Sequence, residues 1–244
     1  MPCGPGLLHP NVRAMPFHRR FVLIALLAAL FPPAPLASEP ETALVRVARM
    51  AGLRPEALRP ALRAHARASA AGLTTSPLLT VIDYALPSRV PRLWVLDLRA
   101  ERVLARELVA HGRGSGGDLA RRFSNRAGSL QSSLGAFLTG RVYQGKHGTS
   151  LRLRGLDPVL NDHAEARAIV VHGADYVSER TIAALGRLGR SQGCPALSRE
   201  AAGRIIALIR DGSLVFAYHP SEFETGRARA DRAGGVRPAI ASPG

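Results

Sequence analysis

Gly189-Arg190-Ser191-Gln192-Gly193-Cys194-Pro195-Ala196-Leu197 is the stretch from which the rest of the chain can be read. It contains one of two cysteines; the other, Cys3, lies at the extreme N-terminus. Gly193 lets the backbone come close to a ligand just before the thiol, and Pro195 fixes φ just after it. Immediately upstream, Ala168-Ile-Val-Val-His172-Gly173-Ala174 is an apolar run of buried-strand type that ends in His-Gly. Ser178 reads as an N-cap for a helix over Glu179–Leu188, with Gly189 as its stop. A strand, a helix and a loop in that order bring a strand-end histidine and a loop cysteine together.

Downstream, Ser198 caps a second helix over Arg199–Arg210, with Ile205, Ile206 and Ile209 on its buried face and Asp211-Gly212 ending it. Ser213–Tyr218 reads as a closing strand. Residues 221–244 are rich in Arg, Ala, Gly and Pro without periodicity, as in a disordered tail.

Toward the N-terminus, residues 123–155 are dense in Ser, Thr, Asn and Gly and predict turns joining short strands, with small polar side chains lining a peptide groove. Tyr143 and His147 stand beside glycines there and are candidate substrate contacts. His111–Gly117 reads as a mobile loop near a cleft; it lacks the lysine of a phosphate loop. Leu78–Ile82, Arg92–Leu98 and Val103–Val109 predict a β-meander covered on one side. Asp83 and Asp97 fall within it and are read as structural. Residues 41–72 have helical periodicity, with Pro60 expected to shift or kink the second half.

Residues 1–38 have the pattern of an export signal. His18-Arg19-Arg20 precedes an apolar run, Phe21–Phe31, which prolines follow; Ala37-Ser38 offers a cleavage site, and Met15 is a possible true start. The run is too short to span a bilayer comfortably, so no stable membrane insertion is expected after signal removal. The expected organisation is a signal at 1–38, a helical segment at 41–75, a catalytic domain at 76–220 and a tail at 221–244.

The chain has 244 residues and a formal net charge of +15, and Lys146 is its only lysine. A surplus of this kind, nearly all arginine, fits GC-rich coding. It also attracts anionic polymers. Dispersed arginines, few aromatics and no zinc-finger or RNP-like motif exclude a nucleic-acid partner.

After export, Cys194 is an unpaired thiol in an oxidising compartment, where cysteines tend to be paired or lost. That points to chemistry. A free thiol is mostly protonated at neutral pH, its pKa being about 8.5, so the nucleophile needs a base, and His172 is the candidate. The N–H groups of Gly193 and Cys194 are candidate donors to an acyl oxyanion. Ser191 is placed to orient His172 or to hydrogen-bond the thiolate. One cysteine with scattered His147, His163 and His172 lacks a zinc-ligand pattern. No zinc site is expected.

At these residues the chain resembles the L,D-transpeptidases of the YkuD type, in the branch of murein L,D-transpeptidase catalytic domains. The resemblance rests on Phe123-Ser124-Asn125, Ser132-Ser133-Leu134-Gly135, Tyr143-x-Gly145-Lys146-His147-Gly148, Val171-His172-Gly173-Ala174 and Gly189-Arg190-Ser191-x-Gly193-Cys194-Pro195-Ala196. It covers residues 76–220. It implies a mostly β (α+β) fold: a compact β-sandwich or barrel with a few peripheral helices, preceded here by the helical N-terminal segment. It further implies that Cys194 is the nucleophile and His172 the base, with Ser191 and Gly193 matching the family's serine and glycine, and it implies neither a metal nor an organic cofactor. The implied substrate is a peptidoglycan stem tetrapeptide in the bacterial envelope. Cys194 forms a thioester, terminal D-alanine leaves, and an amine of a second stem resolves the acyl-enzyme. If water resolves it instead, the enzyme is an L,D-carboxypeptidase or a hydrolase that releases wall-linked protein. A non-catalytic wall-binding module is the remaining alternative. Two departures stand out. Gln192 replaces a frequent histidine, and Ala196 replaces a frequent arginine, which leaves carboxylate binding to another residue such as Arg190.

Overall fold

The computed structural model describes residues 42–221. The proposed signal and the tail from residue 222 lie outside the described residues.

Two helices come first, α1 (Ala43–Met50) and α2 (Pro55–Ala70). Thr42 caps the first by accepting from Val45 N–H. Pro55 stands in the first turn of the second, where its missing N–H costs nothing. Pro60 does not end α2; the helix runs on to Ala70 with the proline buried on its packed face.

The meander follows as β1 (Leu78–Asp83), β2 (Leu93–Asp97) and β3 (Arg102–Glu107), paired antiparallel in that order. A long hairpin, β4 (Gly135–Gly145) and β5 (Gly148–Gly155), occupies the region expected to be turns and short strands. After it come β6 (Val170–Gly173), α3 (Glu179–Leu185), β7 (Ala196–Leu197), α4 (Arg199–Ile209) and β8 (Leu214–Tyr218). The C-terminus of α3 falls earlier than expected: Gly186 adopts φ +67° and takes the left-handed position, so Gly189 is free to belong to the loop beyond.

All eight strands form one mostly antiparallel sheet in the order β3-β2-β1-β8-β4-β5-β6-β7. Its two edges nearly meet. Ala110, just past β3, donates to Ala196 O at 2.8 Å and accepts from Ala196 N–H at 3.3 Å, which curls the sheet toward a barrel. This is the mostly β architecture with peripheral helices that the family resemblance implies. The closing strand expected at Ser213–Tyr218 is β8, and it sits inside the sheet. It lies between β1 and β4, parallel to β1 and antiparallel to β4.

Two strands of the meander, β1 and β2, are buried on both faces, against the expectation of cover on one side, whereas the edge strand β3 stays partly exposed. Along β8, Leu214, Phe216 and Tyr218 join one apolar cluster, and Val215 and Ala217 join another. β2 alternates likewise, with Trp94 and Leu96 in the first cluster and Leu93 and Val95 in the second. The first cluster is completed by Leu53, Ala57, Leu58 and Ala61 of the helical segment, and the second by Ile205, Ile206 and Ile209 of α4. Two apolar faces give a continuous apolar run instead of an alternating one, which is why Leu93–Leu96 carries little period-two signal. The buried Trp94 indole donates to Ala51 O at 2.9 Å, tying the corner between α1 and α2 to the sheet.

The two aspartates of the meander are structural, as read. Asp83 is buried and accepts from Arg54 Nε at 2.7 Å and Nη2 at 2.9 Å. Asp97 accepts from the N–H groups of Arg99 and Ala100 in the hairpin turn.

The start of β4 is fixed by a buried amide. Asn161 Nδ2 donates to Leu134 O at 2.8 Å and Ala136 O at 3.0 Å, and its Oδ1 accepts from Asp157 N–H at 2.9 Å. Asn161→Ala leaves Leu134 O and Asp157 N–H without partners in a buried site, while Ala136 O keeps the Leu156 N–H at 2.9 Å. The expected loss is about 2–4 kcal/mol, read as a lower urea midpoint at unchanged m-value. A midpoint equal to wild type would show that the amide carries no stability.

Candidate active site

Cys194 lies on a turn fixed by its neighbours' backbone and hydroxyl groups, not by its own sulfur. Ser191 Oγ donates to Cys194 O at 2.6 Å and accepts from Gly193 N–H at 3.0 Å. Ser132 Oγ donates to Gly193 O at 3.0 Å and accepts from Gly112 N–H at 3.0 Å. Gly193 has φ +128°, a conformation that L side chains rarely adopt, and a Cβ there would meet Gln131 O at 2.8 Å. Ser191 therefore neither orients His172 nor bonds the sulfur; it closes the turn. The Gly193 N–H is engaged within that turn, so of the two backbone donors expected for an oxyanion, Cys194 N–H is the one left.

The loop at His111–Gly117 is not a free lid. His111 and Ser115 are buried. His111 O accepts from Ser191 N–H at 3.0 Å, and Arg113 N–H donates to Ser191 O at 2.8 Å, so this segment backs the cysteine loop as a strand would. Behind it, fully buried Arg92 donates to Val109 O, to Leu86 O and, at 2.7 Å, to His111 Nδ1. Burial and that guanidinium push the His111 imidazole down to about 3, so the ring is neutral and accepts. Burial lowers Arg92 itself to about 10.

His172 reaches the site through the sheet. It stands on β6, opposite Ser150 on one side and opposite Ala196 on the other, two residues beyond the thiol. Its Nδ1–H donates to Gly173 O at 2.9 Å. A carbonyl only accepts, so the neutral ring carries its proton on Nδ1 and keeps Nε2 as the basic nitrogen. The His147 ring stacks on it at 4.5 Å between centroids. Burial lowers the His172 pKa; the Gly173 carbonyl opposes this, and His147 and Lys146 add to it.

The thiol is shifted the other way. Burial raises the Cys194 pKa, offset in part by the Val170 backbone, by the Arg167 charge, by the residue's own N–H and by Lys146. At neutral pH the resting pair is thus a thiol and a neutral imidazole, the state in which a base has work to do.

Cys194, His172, Ser191, Tyr143, His147 and Arg190 all line one cavity of about 800 Å³. Gly193 is the one candidate residue that does not line it. The cavity also holds three side chains that the candidate set did not contain: Lys146, Arg167 and Tyr176. Burial, with Cys194 nearby, raises the Tyr176 phenol to about 12, so it is an O–H donor throughout the neutral range. Arg167 is an internal clamp. Its guanidinium donates to Ser124 O at 2.7 Å, Ser133 Oγ at 2.5 Å and Gln131 O at 2.6 Å. The serines of residues 123–135, expected to line a groove, instead face this clamp and the cysteine turn. Nothing in the sequence set Arg167 apart from the chain's other arginines. Lys146 was visible as the single lysine but was read only as part of a motif.

Among the described residues, no three His, Cys, Asp or Glu side chains gather as a metal site requires.

A family model described as L,D-transpeptidase catalytic domain matches residues 49–218. Among solved structures, an L,D-transpeptidase from Mycobacterium smegmatis is 13% identical over 59% of this chain and 59% of that one, with a TM-score of 0.38. The L,D-transpeptidase of Xylanimonas cellulosilytica is 17% identical over 71% and 69%, with a TM-score of 0.36. The helical cell shape determining protein Pgp2 of Campylobacter jejuni is 12% identical over 61% and 53%, with a TM-score of 0.38. The chain spans about three fifths of the length of the first of these. Comparison with curated proteins gives no match.

Proposed function

The chain belongs to the L,D-transpeptidase catalytic domain family, and from that premise we propose that it is an exported enzyme that rebuilds peptidoglycan crosslinks through a thioester on Cys194. The observation that carries this reading is the shared cavity, which has the thiol, the imidazole and the nucleophile turn on its wall.

In the proposed reaction, His172 Nε2 takes the thiol proton as Sγ attacks the carbonyl at the L-centre of the diamino acid in a stem tetrapeptide. Cys194 N–H and the Tyr176 hydroxyl are the donors available to the oxyanion. The tetrahedral adduct collapses, His172 returns the proton to the leaving amine of terminal D-alanine, and the thioester remains. An amine of a second stem then attacks the thioester. His172 takes its proton, Sγ departs as thiol, and the new amide is the crosslink. No step calls on a metal or an organic cofactor.

Export is part of the same proposal and is supported by the charged and apolar pattern of residues 1–38. One experiment reads both parts: intact-mass spectrometry of protein from the cell envelope, before and after incubation with purified muropeptides. The expected result is a chain lacking roughly its first 38 residues, an acyl adduct on Cys194, and a crosslinked dimer among the products. A tripeptide product without dimer would make the enzyme a hydrolase. No adduct would overturn the chemistry, and an uncleaved chain confined to the cytoplasm would overturn the export.

A further inference from the structure

The cavity contains three cationic side chains, Lys146, Arg167 and Arg190, and no Asp or Glu. This is a local property. Elsewhere on the described surface arginines find carboxylates: Arg199 with Asp175, Arg204 with Glu107, Arg54 with Asp83. Two acidic residues adjoin the cavity wall in sequence: Asp175 is held by both Arg199 Nε and Nη2, and Glu165 lines a separate hollow with Arg141, Arg152 and Arg154.

The three cations are not equivalent. The Arg167 donors are consumed by the backbone and serines of residues 124–133. Arg190 spends only Nη1, which donates to Gly116 O at 2.9 Å. Lys146, exposed at the tip of the β4–β5 hairpin, has no hydrogen-bond or ion-pair partner among the described residues. Lys146 and Arg190 thus bring unspent N–H donors from two separate elements to one cavity that has no carboxylate on its wall. Ala196 cannot share the task; it is buried in β7 between His172 and Ala110.

We propose that Lys146 and Arg190 are specificity-determining residues that take free carboxylates of the acyl donor, so that the enzyme prefers stem peptides with ionised carboxyls to those whose carboxyls are amidated. The proposal rests on the reading of the site as a stem-peptide acyltransferase. A carboxamide has nearly the shape of a carboxylate, but it lacks the charge and replaces an acceptor with a donor. Facing an ammonium or guanidinium, that donor meets another donor, so the site rejects it by lost attraction and by an unpaired group.

The test is calorimetric titration of full-length Cys194→Ala protein with a synthetic tetrapeptide bearing free carboxylates, and with its carboxamide twin. The twin is expected to bind about tenfold more weakly per carboxylate replaced, and the gap is expected to shrink in Lys146→Gln and Arg190→Gln backgrounds. Arg180→Gln, which removes an exposed charge on α3 outside the cavity, is expected to leave the gap unchanged. Equal affinity for the two peptides, a gap that survives loss of both cations, a gap that closes equally in Arg180→Gln, or no binding of either peptide overturns the proposal. The acyl adduct on unmutated protein is read separately. An adduct formed equally from both donors leaves the transpeptidase reading standing and removes the specificity, whereas discrimination in binding without any adduct removes the chemistry and keeps the site.

Discussion

Cys194→Ala is expected to fold as the unmutated chain does and to form no acyl adduct with a tetrapeptide stem. The turn that carries the thiol is held by Ser191 and Ser132 through backbone groups of residues 193 and 194, all of which survive the substitution. The sulfur's contact with Ala168 O, at 3.8 Å, is weak. Removing it takes away the atom to which the acyl group would bond, and what remains is binding and oxyanion stabilisation. The expected loss of turnover is about 10⁴-fold or more. Intact-mass spectrometry reads the adduct, and a urea midpoint close to wild type confirms the fold. An adduct in the variant would mean that another side chain is the nucleophile.

His172→Ala is expected to slow thioester formation by about 10²–10⁴-fold near neutral pH, with a pH signature set by opposite shifts at the two groups. The His172 imidazole titrates below its usual value and the Cys194 thiol above its own. As pH falls through the imidazole pKa, unmutated protein loses its base and its rate declines. As pH rises through the thiol pKa, the thiolate forms without help and the variant catches up. The ratio of rates therefore falls as pH rises from the imidazole pKa to the thiol pKa, and the two rates converge on the alkaline side. Alkylation of Cys194 by a small electrophile across pH measures both limbs. Equal rates in the neutral range would remove His172 as the base.

That Cys194 and His172 share one cavity was legible because each carries a local signal. Val171-His172-Gly173 is a strand end, and Gly193-Cys194-Pro195 is a turn that only a few residue types can form. The strands of the meander, α4 and the cap at Ser198 were legible for the same reason. What escaped depends on contacts far apart in sequence. His111-Gly112-Arg113-Gly114 has the composition of a loop, and it is ordered by pairing with Ser191 and by the buried Arg92. Arg167 resembles any other arginine until four serines and carbonyls from residues 124–133 converge on it. β4 and β5 were hidden by their glycines and serines, and their regularity comes from pairing with each other and with β8. Both faces of β8 are apolar because two separate clusters meet on it, and periodicity alone does not separate that strand from an edge strand.

The position of β8 also bears on when the molecule can fold. Its partner β1 leaves the ribosome long before it, and Leu79 must wait for Leu214. Until the last strand arrives, neither apolar cluster has its central wall, and β4 lacks the strand that pairs with its outer edge. Contacts of such long sequence separation make folding slow and keep the nascent chain open through synthesis. For the export proposed above, a chain whose central strand is made last would stay longer in a form that a translocation channel can thread.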